Sequence, residues 1–220
     1  MKSIITLFLL ASSAFGAGWI KLFDGKTLKG WAVHSGTASY VAEKGTITGT
    51  AVKGSGNSFL CTEREFGNFI LELEVNVGPE LNSGVQFRSQ IAREAMSFPD
   101  VKDAKGQPRK IPADRVYGYQ AEIAVTNAGN VYDEARRGKF LDDTSKRPKA
   151  ANVFKANQWN KYRIEAKGSS IRTWVNGVLV ADFQDSMTLK GIIGLQVHGL
   201  SNDKFKPYQV RWRNLRIKEL

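Results

Sequence analysis

One cysteine and two histidines in 220 residues leave little room for several familiar chemistries. A lone Cys61 forms no intramolecular disulfide, and neither a Cys pair nor a His pair is present to grip a transition metal. Cys61 lies in the apolar run Phe59-Leu60-Cys61, where a small buried thiol is the plain reading. No phosphate loop, dinucleotide fingerprint or nucleophile elbow occurs. Acidic charge is also short, with 21 Asp+Glu against 32 Lys+Arg and a net charge of +11. Such a balance favours polyanions in general. The basic residues are nevertheless spread along the chain, with modest clusters at 102–115, 136–149 and 204–216, and no RNA-type aromatic motif or recognition helix accompanies them. A solvated basic surface is expected, and nucleic acid is not an expected partner.

Long hydrophobic runs are missing as well, apart from Ile4 to Leu10 behind Lys2. That run is shorter than the roughly 20 apolar residues a membrane-spanning helix needs. The small residues from Ala11 to Ala17 complete the pattern of a secretory signal peptide, residues 1–16, cleaved after Gly16. A periplasmic or secreted protein without a stable membrane anchor is expected. Residues 17–220 are long enough for one sizeable core and show no linker or repeat, so a single domain is predicted. The oligomeric state is left open.

Period-2 alternation dominates what remains. Phe69, Leu71, Leu73, Val75 and Val77 share one face of a strand; Tyr119, Ala121, Ile123 and Val125 do the same, as do Tyr162, Ile164 and Ala166. Asn176-Gly177 between two apolar runs predicts a two-residue hairpin. Residues 191–199 and 208–220 read as closing strands. The fold class is therefore all-β, a two-sheet antiparallel sandwich or a barrel. Residues 93–116, with Pro99, Pro108, Pro112 and many charges, read as a long loop, and 136–152 behave similarly. Loops of that length are often functional.

The same alternation sorts the opposite faces. Glu72 and Glu74, Gln86 and Arg88, Gln120 and Glu122, Gln196 and His198, and Arg211 and Arg213 all point away from the predicted core. They are expected to form one polar sheet face. Gln, Arg and His make directional hydrogen bonds that suit sugar hydroxyls and oxyanions. Pattern alone fits an ordinary solvated face equally well. His198 follows Ile193, Leu195 and Val197 in register; it is either a histidine bonded to a neighbour or a general acid or base. His34, in an N-terminal turn region, reads as structural. Val131-Tyr-Asp-Glu-Ala-Arg-Arg137 concentrates ionisable groups just after a strand, as a charged turn or a catalytic loop. No cofactor is expected; Asp100, Asp103 and Asp114 are conceivable ligands of a structural calcium ion but lack the spacing of a recognised loop.

Seven stretches in order carry a resemblance over about residues 19–220: Leu22-Phe-Asp-Gly-Lys-Thr-Leu-Lys-Gly-Trp31, Asn82-Ser-Gly-Val-Gln-Phe-Arg88, Gly118-Tyr-Gln-Ala-Glu-Ile123, Val131-Tyr-Asp-Glu-Ala-Arg-Arg137, Gln158-Trp-Asn160, Gly194-Leu-Gln-Val-His198 and Arg213-Asn-Leu-Arg-Ile217. Together they resemble the 3-keto-disaccharide hydrolase domain family, which is similar in fold to concanavalin A-like lectins and glucanases. The resemblance implies a jelly-roll sandwich and cleavage of glycosides already oxidised at the sugar C3. A C3 ketone acidifies the C2 hydrogen, so a base can form an enolate that expels the C1 substituent. Water can then add, giving net hydrolysis.

Such a site needs a base, donors for the enolate oxygen and an acid for the leaving group. On this reading Arg88 stabilises the oxyanion, His198 or Glu122 is the base, and Glu134 or Asp133 assists the leaving group. Gln120, Gln196, Tyr132, Arg137 and Asn82 are the candidate substrate-binding residues. Family members often carry Glu then Gln where this chain has Gln120 then Glu122, which leaves the acid and base roles of that pair open. A non-catalytic carbohydrate-binding module on the same sandwich is the alternative from another class. Lectin sites commonly rely on exposed aromatic platforms, whereas this face is richer in ionisable groups.

Overall fold

An alternating strand has one apolar face to bury, and two sheets laid face to face bury both sets at once. The computed structural model, which describes residues 18–103, 105–200 and 206–220, shows that solution. The predicted signal segment falls within residues 1–17 and lies outside the described residues. In chain order the strands are β1 (Ile20–Lys21), β2 (Trp31–His34), β3 (Ser39–Glu43), β4 (Thr46–Thr50), β5 (Ser58–Thr62), β6 (Phe69–Val77), β7 (Ser83–Ile91), β8 (Met96–Lys102), β9 (Pro108–Ile111), β10 (Val116–Ile123), β11 (Val131–Glu134), β12 (Asn160–Lys167), β13 (Ser170–Val175), β14 (Val178–Gln184), β15 (Ile192–Val197) and β16 (Gln209–Glu219).

One sheet runs β14-β13-β12-β6-β16-β4-β3, with β1 beside β16; the other runs β11-β10-β7-β15-β5-β2. The alternating rows read from sequence supply the core. Leu71, Leu73 and Val75 on the first sheet join Tyr119, Ala121, Ile123, Leu195 and Val197 on the second in one buried cluster. Each such valine, leucine or isoleucine contributes on the order of 1.5–3 kcal/mol by leaving water. Val125, expected in that row, is 45% exposed, because β10 ends at Ile123 before the turn at Asn127.

The Asn176-Gly177 hairpin forms as predicted. Val175 pairs with Val178, and φ values of 51° and 84° at the two turn residues are the left-handed pair that such a turn requires. Residues 93–116, expected as a loop, instead contain the hairpin β8–β9. Its prolines are tolerated because Pro108 opens β9 and Pro99 sits at a register shift between Phe98 and Lys102. Ile111 and the partly buried Met96 and Phe98 fasten this hairpin against Ala92, Ala135 and Tyr117. The 136–152 stretch is a loop with two short 3₁₀ turns, Thr144–Lys146 and Pro148–Ala150.

Candidate functional site

The outward rows of the second sheet are polar, yet they are shielded from water. Gln86 and Gln196 are fully buried, Gln120 is 2% exposed and Glu122 is 6% exposed. Register brings them together: Gln120 pairs with Gln86 across β10 and β7, and Gly194 pairs with the same Gln86 across β15 and β7. A directional chain of bonds follows. Ser89 Oγ donates to Gln86 Oε1 at 2.6 Å, Gln86 Nε2 donates to Gln120 Oε1 at 2.7 Å, and Gln120 Nε2 donates to Glu122 Oε2 at 3.1 Å. Asn82 Nδ2 donates to the other oxygen of Glu122. Gly84 is the close-approach point, since a Cβ there would lie 2.3 Å from Gln120 Cδ.

Burial pushes the Glu122 carboxyl above the ordinary carboxylate range, and the charge of Glu134 adds to the rise; the bonds from Asn82 and Gln120 only partly oppose it. Glu134 is 7% exposed and accepts from Arg115 and, at 3.4 Å, from Asn57 Nδ2. Asn57 Oδ1 in turn accepts from the Gly199 amide at 2.9 Å. His198 follows the last residue of β15, and its Nδ1 lies 2.6 Å from the Gly199 carbonyl. A carbonyl only accepts, so Nδ1 carries the proton and a neutral His198 presents a bare Nε2. Gln196 supplies the remaining feature: neither its amide nitrogen nor its oxygen has a hydrogen-bond partner among the described residues. Buried amides without partners are rare and costly, so this one calls for a partner such as an ordered water or a polar ligand.

Asn82, Gln120, Glu122, Tyr132, Glu134, Gln196 and His198 thus surround one cavity of about 350 Å³, joined by Asn57 and Phe140. The ring of Phe140 meets Tyr132 edge-on at 5.3 Å and is itself 38% exposed at the mouth. Sequence reasoning missed Asn57, because a Gly-Ser-Gly-Asn run reads as a turn, and Phe140, a lone aromatic in a charged loop. It also passed over Arg115.

Three candidates lie elsewhere. Arg88 has φ of 47° beside register shifts with both neighbouring strands, and this bulge re-aims its side chain. Its guanidinium donates to Gly67 O at 2.8 Å, Gly168 O at 2.7 Å and Asn68 Oδ1 at 3.0 Å. It staples the second sheet to turns of the first and has no place at the cavity. Asp133 is fully buried and faces opposite to Tyr132 and Glu134 by alternation, accepting from Arg136 at 2.9 Å and from Arg137. Arg137 also bonds Asp185 at 2.6 Å, so its charge is committed to two carboxylates.

The single polar face expected from alternation is in fact two. Glu72, Glu74, Arg211 and Arg213 lie on β6 and β16 of the first sheet, on the opposite layer of the sandwich from Gln86, Gln120 and Gln196. His34 Nδ1 pairs with Asp114 at 2.5 Å, and Asp103 accepts from the amides of Lys105 and Gln107 at 2.8 and 2.9 Å.

Comparison with known proteins adds the family. Residues 18–218 match the 3-keto-alpha-glucoside-1,2-lyase-like domain. A 3-keto-disaccharide hydrolase of Bacteroides thetaiotaomicron is 27% identical over 250 aligned positions, covering 92% of this chain and 79% of that protein. Among solved structures, a protein of Parabacteroides distasonis described as a candidate glycosyl hydrolase superposes with a TM-score of 0.59 at 19% identity, covering 92% and 94% of the two chains. The carbohydrate-binding module CBM66 of Bacillus subtilis superposes with a TM-score of 0.57 at 16% identity, covering 86% and 96%. At those identities the structural likeness speaks for the sandwich, while the sequence match over nearly the whole length speaks for descent. The chain therefore belongs to the 3-keto-alpha-glucoside-1,2-lyase-like domain family, a family of carbohydrate-active proteins.

Proposed function

We propose that this protein cleaves glycosides oxidised at the sugar C3, by proton removal at C2 and elimination of the C1 substituent. The observation that carries the reading is the fully buried Gln196 amide, unpartnered among the described residues, in one cavity with the bare Nε2 of His198 and the raised carboxyl of Glu122. His198 Nε2 takes the C2 proton. The electrons of that C–H bond become the enolate, whose oxygen Gln196 Nε2 binds as a fixed donor. The enolate re-forms the C3 carbonyl and makes a C1–C2 double bond while the C1–O bond breaks. The bonding pair leaves on the aglycone oxygen, which Glu122 protonates. The products are a 2-hydroxy enone and a free alcohol; adding water across C1 and C2 completes a net hydrolysis.

The test follows aglycone release from 3-keto-glucosides carrying several chromogenic leaving groups. Release, with a primary isotope effect on C2 deuteration, is the expected result. No release from any aglycone, or release without an isotope effect, overturns the reading. A second reading has one observation of its own: the exposed Phe140 ring against Tyr132 is an aromatic platform of the kind sugar-binding modules use. Saturable sugar binding with no turnover of either the oxidised or the parent glycoside is the outcome that favours it.

A further inference from the structure

Two carboxylates line the cavity, and the elimination proposed above, on which this inference rests, needs the proton on a particular one. We propose that Arg115 is a positioning residue for the acid step: through its bond to Glu134 it assigns the proton available to the two carboxylates to Glu122. The side chain is held for that purpose from three directions. Its guanidinium bonds Glu134, with only 20% of the Arg115 side chain and 10% of the Glu134 side chain exposed. It lies over the ring of the fully buried Phe59, 5.5 Å from the centroid, on the outward face of β5. The preceding residue, Asp114, sits at φ of 65° and is latched to the neighbouring turn. His34 Nδ1 and the Ser35 amide reach its carboxylate at 2.5 and 2.9 Å, and Ser35 Oγ donates to its carbonyl at 3.1 Å.

The groups around Glu134 make the assignment decisive. Arg115 and the Asn57 amide both donate to its carboxyl. Glu122 and Tyr132 face the same space, along with His198, and Arg109 from the β8–β9 hairpin acts on Tyr132. Among the described residues Glu122 has no cation bonded to it, only the amides of Asn82 and Gln120. Two carboxyls that line one cavity oppose each other's charge, and a guanidinium bonded to one of them favours the proton on the other.

The proposal is tested by following the side-chain carboxyl carbons of both glutamates by NMR as pH is varied, in the full chain without substrate. In Arg115→Gln the proton is expected to be shared with Glu134, so that the Glu122 carboxyl loses it at lower pH than in the wild type. Arg115→Lys, which keeps the charge, returns the Glu122 titration most of the way. Where the oxidised substrate is turned over, Arg115→Gln is expected to lower kcat about tenfold, one pKa unit being a tenfold change in proton occupancy, with KM little altered. A Glu122 titration that does not move in Arg115→Gln overturns the proposal. Should that variant fail to fold, Glu134→Gln gives the same information from the other side: Glu122 should then titrate lower than in the wild type, and an unchanged Glu122 overturns the proposal. Because the titrations need no substrate, they stand or fall apart from the reaction itself.

Discussion

The two outward faces of the sandwich are built from similar residues and have opposite characters. On the first sheet the outward glutamates Glu72, Glu74 and Glu165 are closed by charge pairing. Glu72 accepts from Arg163 at 3.0 Å and Arg216 at 2.6 Å with Lys161 at 3.6 Å; Glu74 takes Arg213 at 2.6 Å; Glu165 takes Arg163 and Arg172. Indole rings carry the same guanidiniums, Trp159 under Arg213 at 4.1 Å and Trp19 under Arg216 at 4.4 Å. The second sheet has amides and carboxylates deeper in the protein, fewer cations, and a glutamine whose side chain has no partner among the described residues. A face that satisfies itself holds the fold; a face left unsatisfied at some cost in stability is available to a ligand.

Exchanging that character at single positions should separate activity from stability. The largest effect is expected from Glu122→Gln, which removes the acid and keeps an acceptor for one of the two amides of Asn82 and Gln120: release of aglycone should fall roughly 10²–10⁴-fold, with thermal stability at neutral pH largely maintained. A fall in both would mean that the carboxyl is structural. Gly84→Ala should reduce kcat about tenfold by pushing Gln120 and, through it, Glu122 out of line; unchanged kinetics would mean that the amide chain adapts freely.

On the other face, Glu72→Ala should leave turnover untouched while lowering unfolding stability by about 1–2 kcal/mol in denaturant titrations. A loss of activity there would dissolve the contrast. The smallest effect is a matter of sign. Burial is the largest single influence on Glu72 and opposes its charge, but the bonds from Arg216 and Arg163 outweigh it and the net shift is downward. Its stabilisation is therefore present above the ordinary carboxylate range near about 4 and is lost as pH falls through its lowered pKa. Glu122 is shifted upward, so its contribution is full below that range and is lost as pH rises through the raised pKa. The pH dependence of unfolding in Glu72→Gln and Glu122→Gln should therefore depart from the wild type in opposite directions.

Periodicity made most strands legible, since Phe69, Leu71, Leu73 and Val75 can hide only on one side. It could not say which strands share a sheet. β6 finds β12 and β16 as neighbours, while β10 finds β7 and β11, and those long-range choices put Glu72 and Glu122 on opposite layers. Arg88 was misplaced for a local reason, because one left-handed residue in a bulge breaks the alternation that assigned its direction. The β8–β9 hairpin was hidden by prolines that happen to sit where a ladder bond is not required. Phe140 reaches the cavity through an isolated bridge to Tyr132 from a loop without any period to read.

The row from Ser89 through Gln86 and Gln120 to Glu122 has a sense as well as a position. Each amide accepts on one side and donates on the other, so no member can turn over alone without setting oxygen against oxygen. The two amides therefore turn over together or not at all, and the Ser89 hydroxyl three links from Glu122, which also lies 3.0 Å from the Tyr119 carbonyl on the adjacent strand, can answer either sense. The molecule carries a polarity along this line, and a change at its far end is felt at the cavity through the whole row.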